Sequence, residues 1–288
     1  MQKSNLTIII VTFNSERYIN KCIESVVNSD NKNFEISKII VIDNCSSDLT
    51  VIKILKLQKR FKIISLLKNK VNAGFACAVN QGIKESNGEY VLLLNPDTIL
   101  RRNSLFHLVD SAKKNNAGIC GGATIDNEGR VSGSHFRFPN LMVGIFDFTN
   151  FRKLRRDDKW HKYFYYQDRK QNSSFTVDVI TGGYMLVKRS LFNKVGLFDE
   201  SFFMYLEDVD FCLRAKNAGY KIYYSSKSEI LHVGGASSKN KDRIRHSSWL
   251  WSRKKYFLKH FGVVKNILIQ TIFLIDDLII ITKKSIGT

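Results

Sequence analysis

Leu6-Thr7-Ile8-Ile9-Ile10-Val11-Thr12-Phe13-Asn14 sets the frame for the whole chain. A short, unbroken run of β-branched and apolar residues closed by polar side chains is the pattern of a strand covered on both faces in a parallel sheet. Working outward, Asn14 or Ser15 caps a segment in which Ile19, Cys22, Ile23 and Val26 recur at helical spacing. Ile39-Ile40-Val41-Ile42 forms a second apolar run that stops at Asp43. Asp48 caps a helix reaching about Arg60, and Ile63–Leu67 reads as a third strand. A helix from about Phe75 turns Ala76, Val79 and Ile83 inward and ends near Gly88; the fourth strand, Tyr90–Leu94, leads into Asn95-Pro96-Asp97. This alternation predicts a doubly wound, mostly parallel α/β sheet. Ligands of such sheets sit beyond the carboxyl ends of the strands, so Thr12, Asn14, Asp43, Asn95 and Asp97 are expected along one rim.

Composition bounds the rest. The chain has 288 residues, 44% hydrophobic and 25% charged, which excludes a largely disordered protein and suits one large domain with an appendage or two modest domains. Forty-five Lys and Arg against 26 Asp and Glu give +19 and a pI near 9.7. Residues 1–150 hold 19 basic and 13 acidic side chains, and residues 151–288 hold 26 and 13. Such a field favours a polyanionic partner: nucleic acid, anionic lipid or a diphosphate substrate. Cys22, Cys45, Cys77, Cys120 and Cys212 are odd in number and contain no C-x-x-C pair. That excludes a disulfide framework and a cysteine zinc site, and points to a reducing, cytoplasmic compartment. The first apolar run is too short for the core of a signal peptide.

Beyond residue 100 the pattern loosens. Ile119–Ala123 reads as a strand in which Gly121-Gly122 marks a tight approach. The aromatic and basic stretch Phe146–Phe175, with Arg152, Arg155, Arg156, Trp160 and Tyr163–Tyr166, is expected to be a partly helical insertion over the site. Val177–Lys188 is strand-like, interrupted at Gly182-Gly183 where backbone approaches a ligand. A helix from near Glu207 to Gly219 places Asp208 on one stripe with Phe211, Cys212 and Ala215, while Asp210 is free to pair with Arg214. An inward carboxylate has a raised proton affinity, useful in a general base. Singly, each residue has a plainer reading: Glu207, Asp208 and Asp210 as helix-start charges, Asp97 as a turn residue, Asp43 as a loop acceptor, His232 as a core histidine. Their conjunction at strand ends and a helix start is what points to a site.

The ordered set Ile10-Val11-Thr12-Phe13-Asn14, Val41-Ile42-Asp43-Asn44, Asn72-Ala73-Gly74-Phe75 with Asn80, Leu94-Asn95-Pro96-Asp97, Thr181-Gly182-Gly183 and Glu207-Asp208-Val209-Asp210 followed by His232 spans roughly residues 6–236. It resembles the family 2 inverting glycosyltransferases of GT-A fold, in particular the rhamnosyltransferase-like branch that builds bacterial surface polysaccharides such as O-antigen. The resemblance implies a GT-A domain over residues 1–236, with a nucleotide-binding half (1–100) and an acceptor and catalytic half (101–236). It implies that Thr12, Phe13, Asn14 and Asp43, helped by Gly74 and Asn80, hold the nucleotide of a dTDP- or UDP-sugar. Asn95, Gly182, Gly183 and Glu207 would complete that site. Asp208 matches the catalytic base; Asp97 and His232 match residues that bind Mg²⁺ or Mn²⁺. Asn95 stands where the family's metal motif has its first acid, and one fewer anionic ligand weakens attraction for a hard cation. The branch implies dTDP-L-rhamnose as donor and a lipid-diphosphate-linked or oligosaccharide acceptor, with no nucleic acid; a UDP-sugar is the alternative donor.

Residues 237–288 form a separate tail. Ser237–Lys265 carries nine basic residues and one acid, interleaved with Trp249, Trp251, Tyr256 and Phe257. The apolar run that follows is only ten residues long before Asp276-Asp277, too short to span a bilayer. On a helix, Asn266, Gln270, Asp277 and Lys284 share one stripe and leave the remaining surface apolar. That suits a helix at an anionic membrane surface, peripheral on the inner face of the cytoplasmic membrane, and equally an ordinary packed helix. Two rivals stand beside the resemblance. A nucleic-acid-binding protein explains the +19 but leaves the strand-end acids without a role, and no helix-turn-helix, zinc-finger or RNA-binding signature is present. A nucleotidylyltransferase needs a glycine-rich, basic phosphate loop after the first strand, where Thr12-Phe13-Asn14-Ser15 stands instead.

Overall fold

Successive residues of the central strands are apolar because both sheet faces are covered. The computed structural model describes residues 4–154, 157–170, 172–233 and 239–286; Arg155, Arg156 and the tail boundary expected at 236–237 lie outside them. The first half runs β1 (Ser4–Thr12), α1 (Ile19–Val27), β2 (Phe34–Asp43), α2 (Thr50–Arg60), β3 (Ile64–Lys68), α3 (Phe75–Lys84) and β4 (Tyr90–Leu94). Next come β5 (Thr98–Leu100), α4 (Ser104–Lys114), β6 (Ala117–Ile125), β7 (Val131–Ser132), β8 (His135–Phe136), α5 (Leu141–Phe146), a 3₁₀ turn (Asn150–Leu154) and α6 (Lys159–Phe164). The chain continues through β9 (Phe175–Thr176), β10 (Val179–Ile180), β11 (Tyr184–Lys188), α7 (Ser190–Val195), α8 (Glu207–Asn217) and β12 (Lys221–His232). Two long helices, α9 (Lys239–His260) and α10 (Val263–Ile286), follow.

The main sheet has the order β3-β2-β1-β4-β11-β6-β12-β5. Within β1, Leu6, Ile8 and Ile10 enter one core with α1, α2 and α4, while Ile9 enters the other with α3, α8, α9 and α10. The same alternation splits Ile39 and Val41 from Ile40 and Ile42 on β2. Each such side chain contributes about 1.5–3 kcal/mol by leaving water, so the strands hold the layers together from both sides.

Register places the site. β1 runs parallel to β2 and β4, pairing Thr12 with Asp43 and Ile10 with Leu94, so three carboxyl ends share one rim. β11 runs antiparallel to β4, with Tyr184 opposite Leu94, which carries the preceding Gly182-Gly183 to that rim. β12 is parallel to β6 and ends with His232 opposite Thr98 of β5.

The structure adds detail to two expectations. The insertion between Phe146 and Phe175 packs on the C-terminal helices: Phe148 meets Trp249 at 4.9 Å and Phe257 at 6.2 Å between ring centres, and Asp276 accepts the Asn150 N–H at 2.9 Å. Its described residues therefore form a platform for α9 and α10. The polar stripe of α10 exists, but it faces inward, with Gln270 donating to the Lys254 carbonyl at 2.8 Å and Asp277 paired with Lys254 and Arg253. Lys284 lies outside the described side chains.

Candidate active site

At the ends of β1 and β2 the rim is rigid. Thr12 Oγ1 donates to Asp43 Oδ1 at 3.1 Å, and Asp43 Oδ2 accepts the Ser46 N–H at 3.0 Å, so the buried carboxylate is fixed. Half-buried Phe13 follows, then Asn14, whose φ is +50°. The Asn14 side chain accepts the Ser47 N–H at 2.8 Å, tying the first loop to the second. Asn44, to which the sequence reading assigned no role, is buried: its Nδ2 donates to Asn72 and to the Gly74 carbonyl, and its oxygen accepts from Asn69.

Gly74 shows why a glycine stands there. Its φ is +86°, and a Cβ would lie 2.5 Å from the Phe203 carbonyl oxygen. That close approach lets the Phe75 N–H donate to the Phe203 carbonyl at 2.7 Å, pulling the start of α3 against the segment that enters α8. Asn80 sits deeper, away from the rim. Its amide donates to the Phe198 carbonyl and to Glu200 at 2.9 Å and accepts the Phe198 N–H at 3.0 Å, so it braces the same segment from behind.

The glycine pair joins the two halves of the site. The Gly182 N–H donates to Asp208 Oδ2 at 3.0 Å, while the Gly183 carbonyl accepts the Asn95 N–H at 2.9 Å. A Cβ on Gly183 would lie 2.8 Å from the Asn95 amide. One tight turn thus holds Asp208 beside the Asn95-Pro96-Asp97 corner.

Asp208 sits half-buried at the first turn of α8, above fully buried Phe211, Cys212 and Ala215. Its Oδ1 accepts the Val209 N–H at 2.8 Å. Burial pushes its carboxyl up from the ordinary range, while the N–H groups of Gly182 and Val209 pull the other way; the net direction is up. Glu207 is buried with its Oε2 lacking a partner among the described residues, and burial together with the Asp208 charge pushes it well up. The two neighbouring carboxyls therefore both resist ionisation, Glu207 the more strongly. Asp210 plays a different part. It is wholly buried and bound to Arg214 at 2.9 Å, Lys259 at 2.7 Å and His260 at 2.8 Å. Burial opposes its charge, but the hydrogen bonds from His260 and Lys259 and the charges of Arg214 and Lys259 outweigh it and hold the carboxyl below the usual carboxylate range.

The backbone before α8 is strained, with Tyr205 at φ +73° and Leu206 at φ +65°. Left-handed non-glycine residues are costly and cluster at functional sites. Three side chains of α9 hold this turn: Ser252 Oγ donates to the Met204 carbonyl at 2.7 Å, Arg245 Nε donates to the Tyr205 hydroxyl at 3.0 Å, and Trp249 stands edge-on to the Tyr205 ring. The sequence contains no glycine or asparagine to announce the turn.

Across the rim, His232 Nε2 lies 3.1 Å from Asp97 Oδ2, and that contact raises the histidine pKa against the opposing effect of burial. Asp97 Oδ1 is buried without a hydrogen-bond partner among the described residues. Also among them, no group of three or more His, Cys, Asp or Glu converges as a metal site. A divalent ion here would take two ligands from the chain, which suffices for Mg²⁺ where substrate phosphates supply the rest. The orphaned carboxylate oxygen beside an imidazole fits such an ion. A cavity of about 540 Å³ lined by Asn115, Lys188, Lys194 and Tyr220 lies at the other end of the strands, away from this chemistry.

With this geometry in place, the comparisons are clear. The model of glycosyl transferase family 2 matches residues 7–196, and the chain belongs to that family. The N-acetylglucosaminyl-diphospho-decaprenol L-rhamnosyltransferase of Mycobacterium tuberculosis is 31% identical over 220 residues, 72% of this chain and 70% of that protein. Rhamnosyltransferase WbbL of Escherichia coli K12 is 28% identical over 236 residues, 78% of this chain and 82% of that one. The mannosyltransferase PcManGT of Pyrobaculum calidifontis, solved with GDP-Man and Mn²⁺, superposes with a TM-score of 0.62 over 91% of this chain and 66% of that one. At 15% identity the last is a likeness of fold. The protein is a glycosyltransferase of GT-A fold.

Proposed function

We propose that the chain transfers L-rhamnose from dTDP-L-rhamnose, with inversion, to a hydroxyl of a lipid-diphosphate-linked or oligosaccharide acceptor in surface polysaccharide synthesis. The observation that carries this reading is the Gly182-Gly183 turn, which joins a half-buried, backbone-oriented carboxylate at Asp208 to the corner bearing Asp97. The named activities of the mycobacterial and E. coli relatives supply the sugar, and the mycobacterial name supplies the diphosphate-linked acceptor.

In this reading residues 1–100 hold the nucleotide, with Thr12, Phe13, Asn14, Asp43 and Gly74 around base and ribose; residues 101–236 bring acceptor and base together. The acceptor hydroxyl attacks the anomeric carbon opposite the departing dTDP. Asp208 takes the hydroxyl proton as the new C–O bond forms, and the electron pair of the broken bond leaves on the diphosphate. Two N–H bonds fix the carboxylate direction, and its raised proton affinity makes it the stronger base. Asn95, an uncharged amide at the corner beside the leaving group, adds no repulsion to it. Asp97 and His232 are the residues that would hold Mg²⁺ or Mn²⁺, which when bound neutralises diphosphate charge. A lipid-linked acceptor places the enzyme on the inner face of the cytoplasmic membrane, its basic C-terminal segment toward anionic headgroups.

Thermal-shift measurements against dTDP- and UDP-sugars, with and without Mn²⁺, test this, since ligand binding raises apparent stability by mass action. The expected result is a metal-enhanced shift with dTDP-L-rhamnose that Asp97→Ala abolishes. A larger shift with UDP-sugars would move the donor to the uridine series, and no shift with any nucleotide-sugar would overturn the reading.

A further inference from the structure

α10 buries Ile269 and Phe273 in the core but turns most of its polar side chains inward with them. Asn266, Gln270, Asp276 and Asp277 face α9, where Arg253, 1% exposed, pairs with Asp276 at 2.7 Å and with Asp277. On the opposite side Val264 is 82% exposed and Ile267 65%, and Leu268, Leu274, Ile275 and Leu278 are exposed with them. Their spacings of three, four and seven residues put them on one stripe. Thr271 and Thr282 fall on the same stripe, and their hydroxyls donate back to the Ile267 and Leu278 carbonyls at 2.9 and 3.0 Å, so they offer water no free donor. α9 exposes Ile244, Trp251 and Leu258 at seven-residue intervals. The buried Arg253 pairs fix the rotation of α10, so its apolar side cannot turn inward without stranding charge. Contiguous apolar surface of this kind marks a docking face. No described helix is long and apolar enough to cross a membrane.

We propose that α10 lies in the plane of an anionic bilayer, its outward stripe among the upper acyl chains and the lysines of the hairpin among the headgroups. Charge decides between lipid and a second copy of the chain. Residues 239–288 carry eleven basic and three acidic side chains; Arg253 and Lys254 are taken up by Asp276 and Asp277 and Lys259 by Asp199 and Asp210, which leaves eight basic residues against Asp242. Two-fold pairing through this face would oppose two strongly cationic hairpins, whereas an anionic membrane surface complements them. Exposed Trp251 suits the boundary between headgroups and chains. The proposal rests on the lipid-linked acceptor of the transferase reading for its purpose, but the binding itself requires neither donor nor acceptor.

Co-sedimentation of the purified full chain with phosphatidylcholine vesicles containing phosphatidylglycerol tests it, with light scattering on the same samples. The wild-type chain is expected to sediment with the vesicles. Ile267→Glu/Leu274→Glu, at exposed positions where folding is undisturbed, is expected to lower partitioning at least about tenfold while keeping the circular dichroism spectrum. A wild-type chain left in the supernatant, a double variant that partitions normally, or a vesicle-free dimer that the double variant dissociates would each overturn the proposal. Binding lost only in the double variant supports it even if no nucleotide-sugar shifts the melting curve, a result that counts against the transferase reading alone.

Discussion

Replacing Asp208 with Asn tests the base most directly, because the structure sets two separate costs. Asp208 accepts N–H bonds on both oxygens, from Val209 at 2.8 Å and Gly182 at 3.0 Å. An amide offers one acceptor, so its NH₂ must face one of those donors and leave it unpaired, at about 1–3 kcal/mol of stability. At about 2–4 °C per kcal/mol for a chain near this size, the melting temperature should fall by several degrees. Removing the general base should cost about 10²–10⁴ in kcat, or at least about 2.7 kcal/mol of barrier at tenfold per 1.36 kcal/mol. Donor affinity should survive, since the carboxylate acts on the acceptor. Turnover with dTDP-L-rhamnose and a polyprenyl-diphosphate-linked acceptor, alongside calorimetric titration of the donor, separates the two effects. Glu207 is the one neighbouring acid able to substitute; adding Glu207→Gln should then lower turnover further only if it does. Near-normal kcat in both variants would refute the assignment of the base.

Three further outcomes are expected. Glu207 is harder to ionise folded than unfolded, so its contribution favours the native state at low pH and is lost as pH rises from the ordinary carboxylate range toward its raised value. Glu207→Gln should flatten that decline in urea-unfolding free energy, and parallel pH curves for variant and wild type would argue against a protonated Glu207. Arg253→Met leaves the buried Asp276 with its Asn150 donors but no cation, which should cost about 3–5 kcal/mol in urea unfolding; a loss under about 1 kcal/mol would mean that Asn150 and water compensate the charge. Gly74→Ala forces a side chain onto a backbone of positive φ and extended ψ that glycine alone readily adopts, at about 1–3 kcal/mol, plus the collision with the Phe203 carbonyl. An unchanged melting curve would show that the approach of α3 to α8 is slack.

The parallel sheet was legible because it is written in period and composition. Ile8–Val11, Ile39–Ile42 and Tyr90–Leu94 are too short and too apolar for anything but covered strands, and their polar ends had to share a rim. The helix faces followed from spacing, so Cys22, Ile23 and Val26 are buried as expected. What stayed hidden depends on contacts distant in sequence. Nothing near Arg253 announces Asp276, and without that pair the sequence does not say which way the polar stripe of α10 faces. β5, of three residues, and the turn at Tyr205-Leu206 carry no composition signal at all. Asn80 has the residue type of a ligand contact but a position, in the middle of α3, that commits its amide to the Phe198 backbone.

The turn at Tyr205-Leu206 carries a lesson about inheritance. Ser252, Trp249 and Arg245 hold the turn that leads into α8 and Asp208, and all three belong to α9, the helix that precedes α10. The C-terminal hairpin therefore could not be traded among relatives as an interchangeable address label. A graft from another enzyme would bring its own angle at residue 208, so changes in where such an enzyme resides and in which hydroxyl it reaches would have to evolve in step.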